Sequence, residues 1–523
     1  MENDTLQSLV LSLSATEKAD FKKFIRYNSG KRIPNYEVLY NIYNKISRQY
    51  ISDEAFQIKL EKYINKKPSI KNNLPNVRMQ MKERLLQSLV MSQAVISNKQ
   101  MVKNLISEVE VLVDRKLYAE ASLKLKQSKK HASTFDLNNL LAEIIDIEIF
   151  LLTKGSTKKD DVYLENLIEE QSQYRAWYNL EIKLKNIFCK ITLMAERDIQ
   201  MTKATSKAEL NNLVNDSRLL EIEIEAYKKQ HKVHIVMWYY RINNLYYRSI
   251  GQHEKAYQNS KALVSYFELD EQLLKHFETE YIAAICGYTR TSFHYNKIKE
   301  LEISIDKVEQ LYKLKKNFKT LEATCDMGIL CYLRTHQYEK ANQISALMDE
   351  IWNELELKIE DGKLLWYTHT NSILHWVNAN TNGLNIWLNR GLAIARSNKG
   401  RAFYFGIRML DLITDLDNQQ LFIFIEKLEA LQKTLQNNTH LTNFEKIVLH
   451  YFRAFYNIEL STKNINLNKT EKTVLMQQTF QSLKNELLKL EFTNLPINYD
   501  EVMLWCESHL QNKTIKEIFE MEG

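Results

Sequence analysis

The chain has 523 residues, 45% hydrophobic and 26% charged, with a formal net charge of +6, which excludes both a disordered acidic polymer and a membrane-dominated chain. Its 11 glycines and 4 prolines compare with roughly 35 and 25 in an average chain of this length. Strand-rich folds and long loops need those turn residues, so the composition predicts an all-α fold. The charge is uneven. Residues 1 to 130 carry 24 Lys and Arg against 13 Asp and Glu, and the remainder carries 47 against 52.

The first segment, "MENDTLQSLVLSLSATEKAD", is acidic where a secretory signal would be positive. Its apolar spacing predicts an amphipathic helix. Breaks follow at "YNSGKRIPNY" (27–36), "NKKPSIKNNLPN" (65–76), "TKGSTKKDD" (153–161), "RSNKG" (396–400) and "STKNINLNKT" (461–470). Between them apolar residues recur every three or four positions, with no run near the roughly 18 residues that span a bilayer. The punctuation divides the chain into a basic amino-terminal helical module (1–95), a helical array (96–460) and a carboxy-terminal helical cap (461–523).

The clearest unit lies in the array. Ile235, Tyr239, Ile242, Tyr246 and Ile250 mark one helical face. Gly251 ends that helix. Ala256, Ser260, Leu263 and Phe267 mark the face of the next, and small Ala256 allows a close approach. With Tyr240, Tyr247, Gly251 and Ala256 in place, the segment resembles the tetratricopeptide repeat, a helical hairpin of about 34 residues. Asn243 and Asn244 replace the glycine–leucine part of that pattern. Partial matches recur at 112–132 around Ala121 and at 328–352 around Ala341, where His336 replaces the turn glycine. Residues 381–395 resemble the second helix of a unit. Residues 404–435 resemble a further hairpin, turning at "LDNQQ". The expected architecture is a degenerate, tetratricopeptide-like α-solenoid. The order "LSATEKADFKKFI", "LYAEASLKLKQSKKHA", "IWLNRGL" and "NFEKIVLHYFRAF" also resembles an uncharacterised family of long bacterial helical-repeat proteins. That resemblance implies the fold and no activity.

No phosphate-binding loop, dinucleotide fingerprint or nucleophile elbow occurs. The pairs "SGKR" (29–32) and "DGK" (361–363) lack the preceding glycine. His231 and His234 are spaced one helical turn apart without the further ligands that zinc requires. Cys325 and Cys331, like His369 and His375, are six residues apart and fall on different helix faces. The five cysteines form no C-x-x-C pair, which fits reduced thiols in a cytoplasmic protein. Trp238, Trp366, Trp376 and Trp387 read as packing residues of the hairpins. The expectation is a protein without catalytic residues, metal or cofactor.

In tetratricopeptide arrays the first helix of each unit lines a concave groove. That resemblance selects Trp238, Arg241, Leu245 and Arg248 from the Ala256 unit. The Ala341 unit supplies Asp326, Leu330, Leu333 and Arg334 in the same way. Arginines beside apolar side chains suit a peptide carboxylate flanked by apolar groups. The expected function is a non-enzymatic scaffold for a protein or peptide partner. Nucleic-acid binding through the basic residues 1–130 is the alternative.

Overall fold

A computed structural model of the chain describes residues 5–13, 15–29, 33–47, 53–93, 98–155, 161–197, 204–216, 222–315, 318–395, 402–438, 442–464, 469–490 and 499–522. These residues form helices and turns, with no strand among them. No helix among them is long and apolar enough to cross a membrane. The chain divides into two compact units, Met1–Asn179 and Leu180–Gly523.

The first unit begins with two helices, Thr5–Ser12 and Ala15–Ser29, where the apolar spacing predicts one. They join Asn35–Ser47, Asp53–Ile64 and Leu74–Gln93 around Phe21, Tyr40, Tyr43 and Phe56. Phe21 and Tyr40 meet edge to face at 4.7 Å, a favourable aromatic geometry. The break at 65–76 is shorter than its composition suggests. Pro68 opens a single helical turn and Pro75 is the second residue of Leu74–Gln93. Both positions tolerate a missing N–H. A second core joins Asn98–Asp114, Tyr118–Thr134 and Asn138–Gly155, with Ala121 fully buried. Lys129 bridges Glu148 at 3.1 Å and Glu170 at 2.9 Å.

The second unit contains a run of helical hairpins. Its turns share one geometry. Gly251, Asn296, His336, Ala379 and Gln419 all have positive φ, between 53° and 78°. At each, that residue's own N–H and the next one close on the preceding helix; Gly251 donates to Arg248 O and Gln252 to Tyr247 O. This pairing satisfies carbonyls that a helix end leaves open. The left-handed conformation costs a residue with a side chain about 1–2 kcal/mol, and Gly251 is the one turn of the five that avoids it. Five residues after each turn comes a buried anchor: Ala256, Leu301, Ala341, Leu384 and Phe424. The turns are spaced by 45, 40, 43 and 40 residues, longer than the 34-residue unit expected. The longest step includes an inserted helix, Glu271–His276.

The hairpin around Gly251 pairs the helices Val233–Ser249 and His253–Glu268. Ala256, Ser260, Leu263 and Phe267 are all buried. Asn244 donates to Ala256 O at 3.3 Å and also bonds Ser260 Oγ. Asn244 thus faces its partner helix. Further along, helix Asp361–Val377 is buried almost all round. Its polar residues bond their own helix: Ser372 Oγ donates to Thr368 O at 2.8 Å and Asn371 Nδ2 to Tyr367 O at 2.8 Å. Of the four tryptophans read as packing residues, Trp376 and Trp387 are buried, while Trp238 and Trp366 are half-buried. The break expected at 396–400 lies outside the described residues.

The unit closes with Tyr499–Gln511 and Ile515–Glu522. Thr514 and Glu517 cap the latter reciprocally, with N–H to carboxylate at 2.8 Å and N–H to hydroxyl at 3.2 Å, the capping-box arrangement. Trp505 is fully buried against Phe452, Phe455 and Phe480, and its Nε1 donates to Asp417 at 3.1 Å.

Candidate binding face

Trp238, Arg241, Leu245 and Arg248 step by three or four along helix Val233–Ser249, and all four are half-buried. They form a face distinct from the core set of that helix. Trp238 packs on Phe188 at 5.2 Å. The Arg241 guanidinium covers both rings, 5.4 Å from Trp238 and 5.7 Å from Phe188. Burial lowers its pKa, and Glu280 opposes that effect. Arg241 is therefore held by stacking and partly balanced by a carboxylate.

Arg248 differs. Its side chain has no hydrogen bond or ion pair among the described residues. Burial, and the positive charge of Arg290, push its pKa down to about 10. Leu330 and Arg334 lie four residues apart on helix Phe318–Arg334, both half-buried. The Arg334 guanidinium sits 6.0 Å from the Phe293 ring centre. Leu333, which the repeat offset places on the groove, is 1% exposed and belongs to the core. The face runs through Leu330 and Arg334 instead, which lie about one helical turn apart and are half-buried. The Asp326 side chain lies outside the described residues.

The two sets meet through a helix that the sequence reading passed over, Glu278–His294. Its Glu280 faces Arg241, its Arg290 and His294 face Arg248, and its Phe293 faces Arg334. The His294 ring stacks on His253 at 6.2 Å. Solvent reaches His294, yet desolvation by surrounding protein, reinforced by Arg248, His253 and Arg290, drives its pKa down to about 3. Gly287, two turns before His294, has no atom within 4 Å of the place a Cβ would occupy. The missing signal was the anchor. Leu301 stands where the neighbouring units carry alanine, so a search for alanine skips this hairpin.

Two other clusters bear on chemistry. A cavity of about 510 Å³ is lined by Ser345, Asp349, His375, Asn380 and Gly383 among others. Ser345 Oγ lies 3.2 Å from His375 Nε2, and Asn380 Nδ2 lies 3.1 Å from His375 Nδ1. The order Ser–His–Asn invites a nucleophile reading, but the hydrogen-bond direction opposes it. Asn380 Oδ1 accepts from Gly383 N–H at 3.1 Å, which turns Nδ2 toward the imidazole as donor. Nδ1 then accepts, and Nε2 carries the proton and donates to Ser345. A base for serine needs Nε2 as acceptor. Burial also lowers the His375 pKa, against an opposing Asp349. The arrangement is a helix cap supporting a turn. Gly383 is required there, since a Cβ would stand 2.5 Å from His375 Nδ1.

His231 and His234 do not share a helix. His231 has φ 52° in the turn, and the helix begins at Val233. His234 instead packs edge-on against Phe277 at 5.8 Å. Cys325, Cys331 and Cys506 are buried free thiols, Cys286 is half-buried and Cys189 is exposed. Glu501 is buried with His369 Nε2 at 3.7 Å; burial, with Asp500 beside it, raises its pKa to about 8. No family model, curated protein or solved structure matches the chain in the comparisons made with known proteins.

Proposed function

We propose that the protein is a non-enzymatic, tetratricopeptide-like helical-repeat scaffold, cytoplasmic, that takes a protein or peptide segment against the face of helices Val233–Ser249, Glu278–His294 and Phe318–Arg334. The observation that carries this reading is continuity. Trp238, Arg241, Leu245, Arg248, Leu330 and Arg334, chosen from separate repeats, join through Phe293, Arg290 and His294 into one arginine- and aromatic-bearing surface. Arginine and tryptophan supply much of the energy at protein interfaces, because they combine apolar area with directed donors. In a solenoid the first helices of successive units line the concave side.

The test is affinity capture from extract of the native cell, at low and moderate salt, with and without nuclease. A reproducible protein partner that is lost on Arg241→Glu plus Arg334→Glu supports the reading. A partner retained by that double variant contradicts it. Recovery that vanishes with nuclease favours instead nucleic-acid binding by the basic residues 1–130, whose affinity would fall steeply with salt.

A further inference from the structure

Two cavities of the second unit occupy the same place in successive hairpins. The cavity of about 510 Å³ lies between helices Tyr338–Glu350 and Thr381–Ala395. A second, of about 590 Å³, lies between Thr381–Ala395, the end of Ala402–Asp417 and the start of Leu421–Asn438. Counting from the left-handed turn residues His336, Ala379 and Gln419 puts their linings in register. Asn342 and Asn385 correspond, as do Ala346 and Asn389, Asn378 and Asn418, and Asn380 and Gln420. Three positions differ in kind: the second cavity has Leu388 in place of Ser345, Asp415 in place of His375 and Lys427 in place of Trp387.

In the first cavity the polar groups satisfy one another. His375 meets Ser345 at 3.2 Å and Asn380 at 3.1 Å, Asn378 donates to Asn342 Oδ1 at 3.3 Å, and Arg390 pairs with Asp349 at 2.7 Å. In the second cavity they do not. Lys427 Nζ lies 2.7 Å from both Asp411 Oδ1 and Asp415 Oδ2, whose side chains are only 10% and 9% exposed. Asp411 Oδ2 is buried and accepts no hydrogen bond; Arg408 Nη1 is 3.9 Å away. The exposed side-chain amides of Asn385, Asn389, Asn418 and Gln420 line the same cavity and have no hydrogen bond among the described residues. Leu388 is the one apolar side chain among the described residues that line it. A buried carboxylate oxygen without a donor costs free energy, and in polar cavities the donor is commonly water.

We infer that this second cavity is a binding site for a small polyhydroxy compound: a sugar, an alditol or a cyclitol. The two carboxylates, Asp411 and Asp415, stand against two cations, Lys427 and Arg408, so the floor offers an ion little net attraction. Each carboxamide presents both a donor and an acceptor. An ammonium or metal ion uses only the acceptors, and a phosphate only the donors. A hydroxyl, like water, uses both. It is therefore the group that displaces water without leaving the amides or Asp411 Oδ2 unpaired. Several hydroxyls on one carbon frame are needed, because the amides come from both helix Thr381–Ala395 and the turn before Leu421–Asn438. The volume falls within the roughly 300–1,000 Å³ of small-molecule sites. With no aromatic ring among the described lining residues, the cavity suits a ligand that is polar on all sides. The site shares no residue with the arginine face and stands whether or not that face binds a segment.

The experiment titrates the full chain by calorimetry with D-glucose, D-galactose, sorbitol and myo-inositol, and with spermidine and inorganic phosphate as ionic controls. The expected result is saturable binding of at least one of the four polyols and weaker binding of both ions. Asn385→Leu and Asn389→Leu, both at exposed positions, each weaken polyol binding by about tenfold, the loss of one or two hydrogen bonds. Asn342→Leu, the corresponding change in the first cavity, leaves it unaltered. Asp411→Asn weakens it as well, and the two asparagine variants carry the test if that change unfolds the unit. No saturable binding of any of the four polyols at millimolar concentration overturns the site. So does binding that Asn385→Leu and Asn389→Leu leave intact, or that Asn342→Leu weakens equally. Spermidine or phosphate binding more tightly than every polyol overturns the ligand class. A preference among the polyols that is lost in Asn385→Leu and Asn389→Leu supports the site and separates ring sugar, open chain and cyclitol.

Discussion

The two ends of the arginine face differ in what covers them. At the Arg334 end the chain folds its own last helices against the array. Asp500 lies near Arg334, Phe519 meets the His336 ring at 6.1 Å, and Lys516 sits 4.6 Å from the Tyr338 ring centre. At the Arg248 end the guanidinium has no hydrogen bond or ion pair among the described residues, and open space lies over Gly287. The contrast teaches that arginines at comparable repeat positions can have opposite standing. Arg334 has a carboxylate near it and a ring contact within the fold, whereas Arg248 has no ion pair among the described residues.

The comparison breaks most severely if the covering helices are loosened. Trp505→Ala removes a fully buried indole from between three phenylalanines and is expected to destabilise the second unit by about 3–5 kcal/mol, read by chemical denaturation. The helices Tyr499–Gln511 and Ile515–Glu522 should lose hydrogen-exchange protection first. The same contact has a pH signature. The Glu501 carboxyl, raised to about 8 in the fold, binds its proton more tightly folded than unfolded. Its contribution is fully present below the ordinary glutamate pKa and is lost as pH rises through about 8. Melting temperature should therefore fall across that window, by the equivalent of a few kcal/mol, and the fall should be largely absent in Glu501→Gln. A pH profile identical in parent and variant contradicts this account of the contact.

Smaller effects sharpen the contrast. Asn380→Ala removes the cap on Gly383 N–H and the contact with His375, and should cost about 1 kcal/mol of stability. Arg241→Ala loses stacking on Trp238 and Phe188, and should cost about 0.5–1 kcal/mol by thermal melting. Arg248→Ala, which relieves repulsion with Arg290, should cost less than Arg241→Ala or nothing. Equal losses for the two arginines would show that Arg248 has a stabilising partner after all.

The all-helical class was legible because glycine and proline scarcity is a property of the whole chain. The turns were legible only where their chemistry was obvious. Gly251 announces a left-handed residue, but Asn296, His336, Ala379 and Gln419 adopt the same conformation. Paired backbone hydrogen bonds and the buried anchor five residues on stabilise them there, and none of that is local sequence information. The turns stand further apart than the 34-residue unit that the Ala256 segment resembles, because these hairpins are longer and one carries the inserted helix Glu271–His276. The offsets around Ala256 and Ala341 select Trp238, Arg241, Leu245, Arg248, Leu330 and Arg334. Arg290, Phe293 and His294 were not legible, since Leu301 replaces the anchor alanine in their hairpin. Leu333 shows the same limit, because a one-residue difference in register exchanges a core position for a surface one.

The central claim is that this face receives another protein. It is tested most directly by a photo-crosslinking residue placed at Leu245 in the native cell, compared with one at Leu123, an exposed leucine of the first unit. The account predicts a discrete crosslinked protein from position 245, abolished by Arg241→Glu, and none from position 123. A discrete crosslink from position 123 with none from position 245 would contradict it.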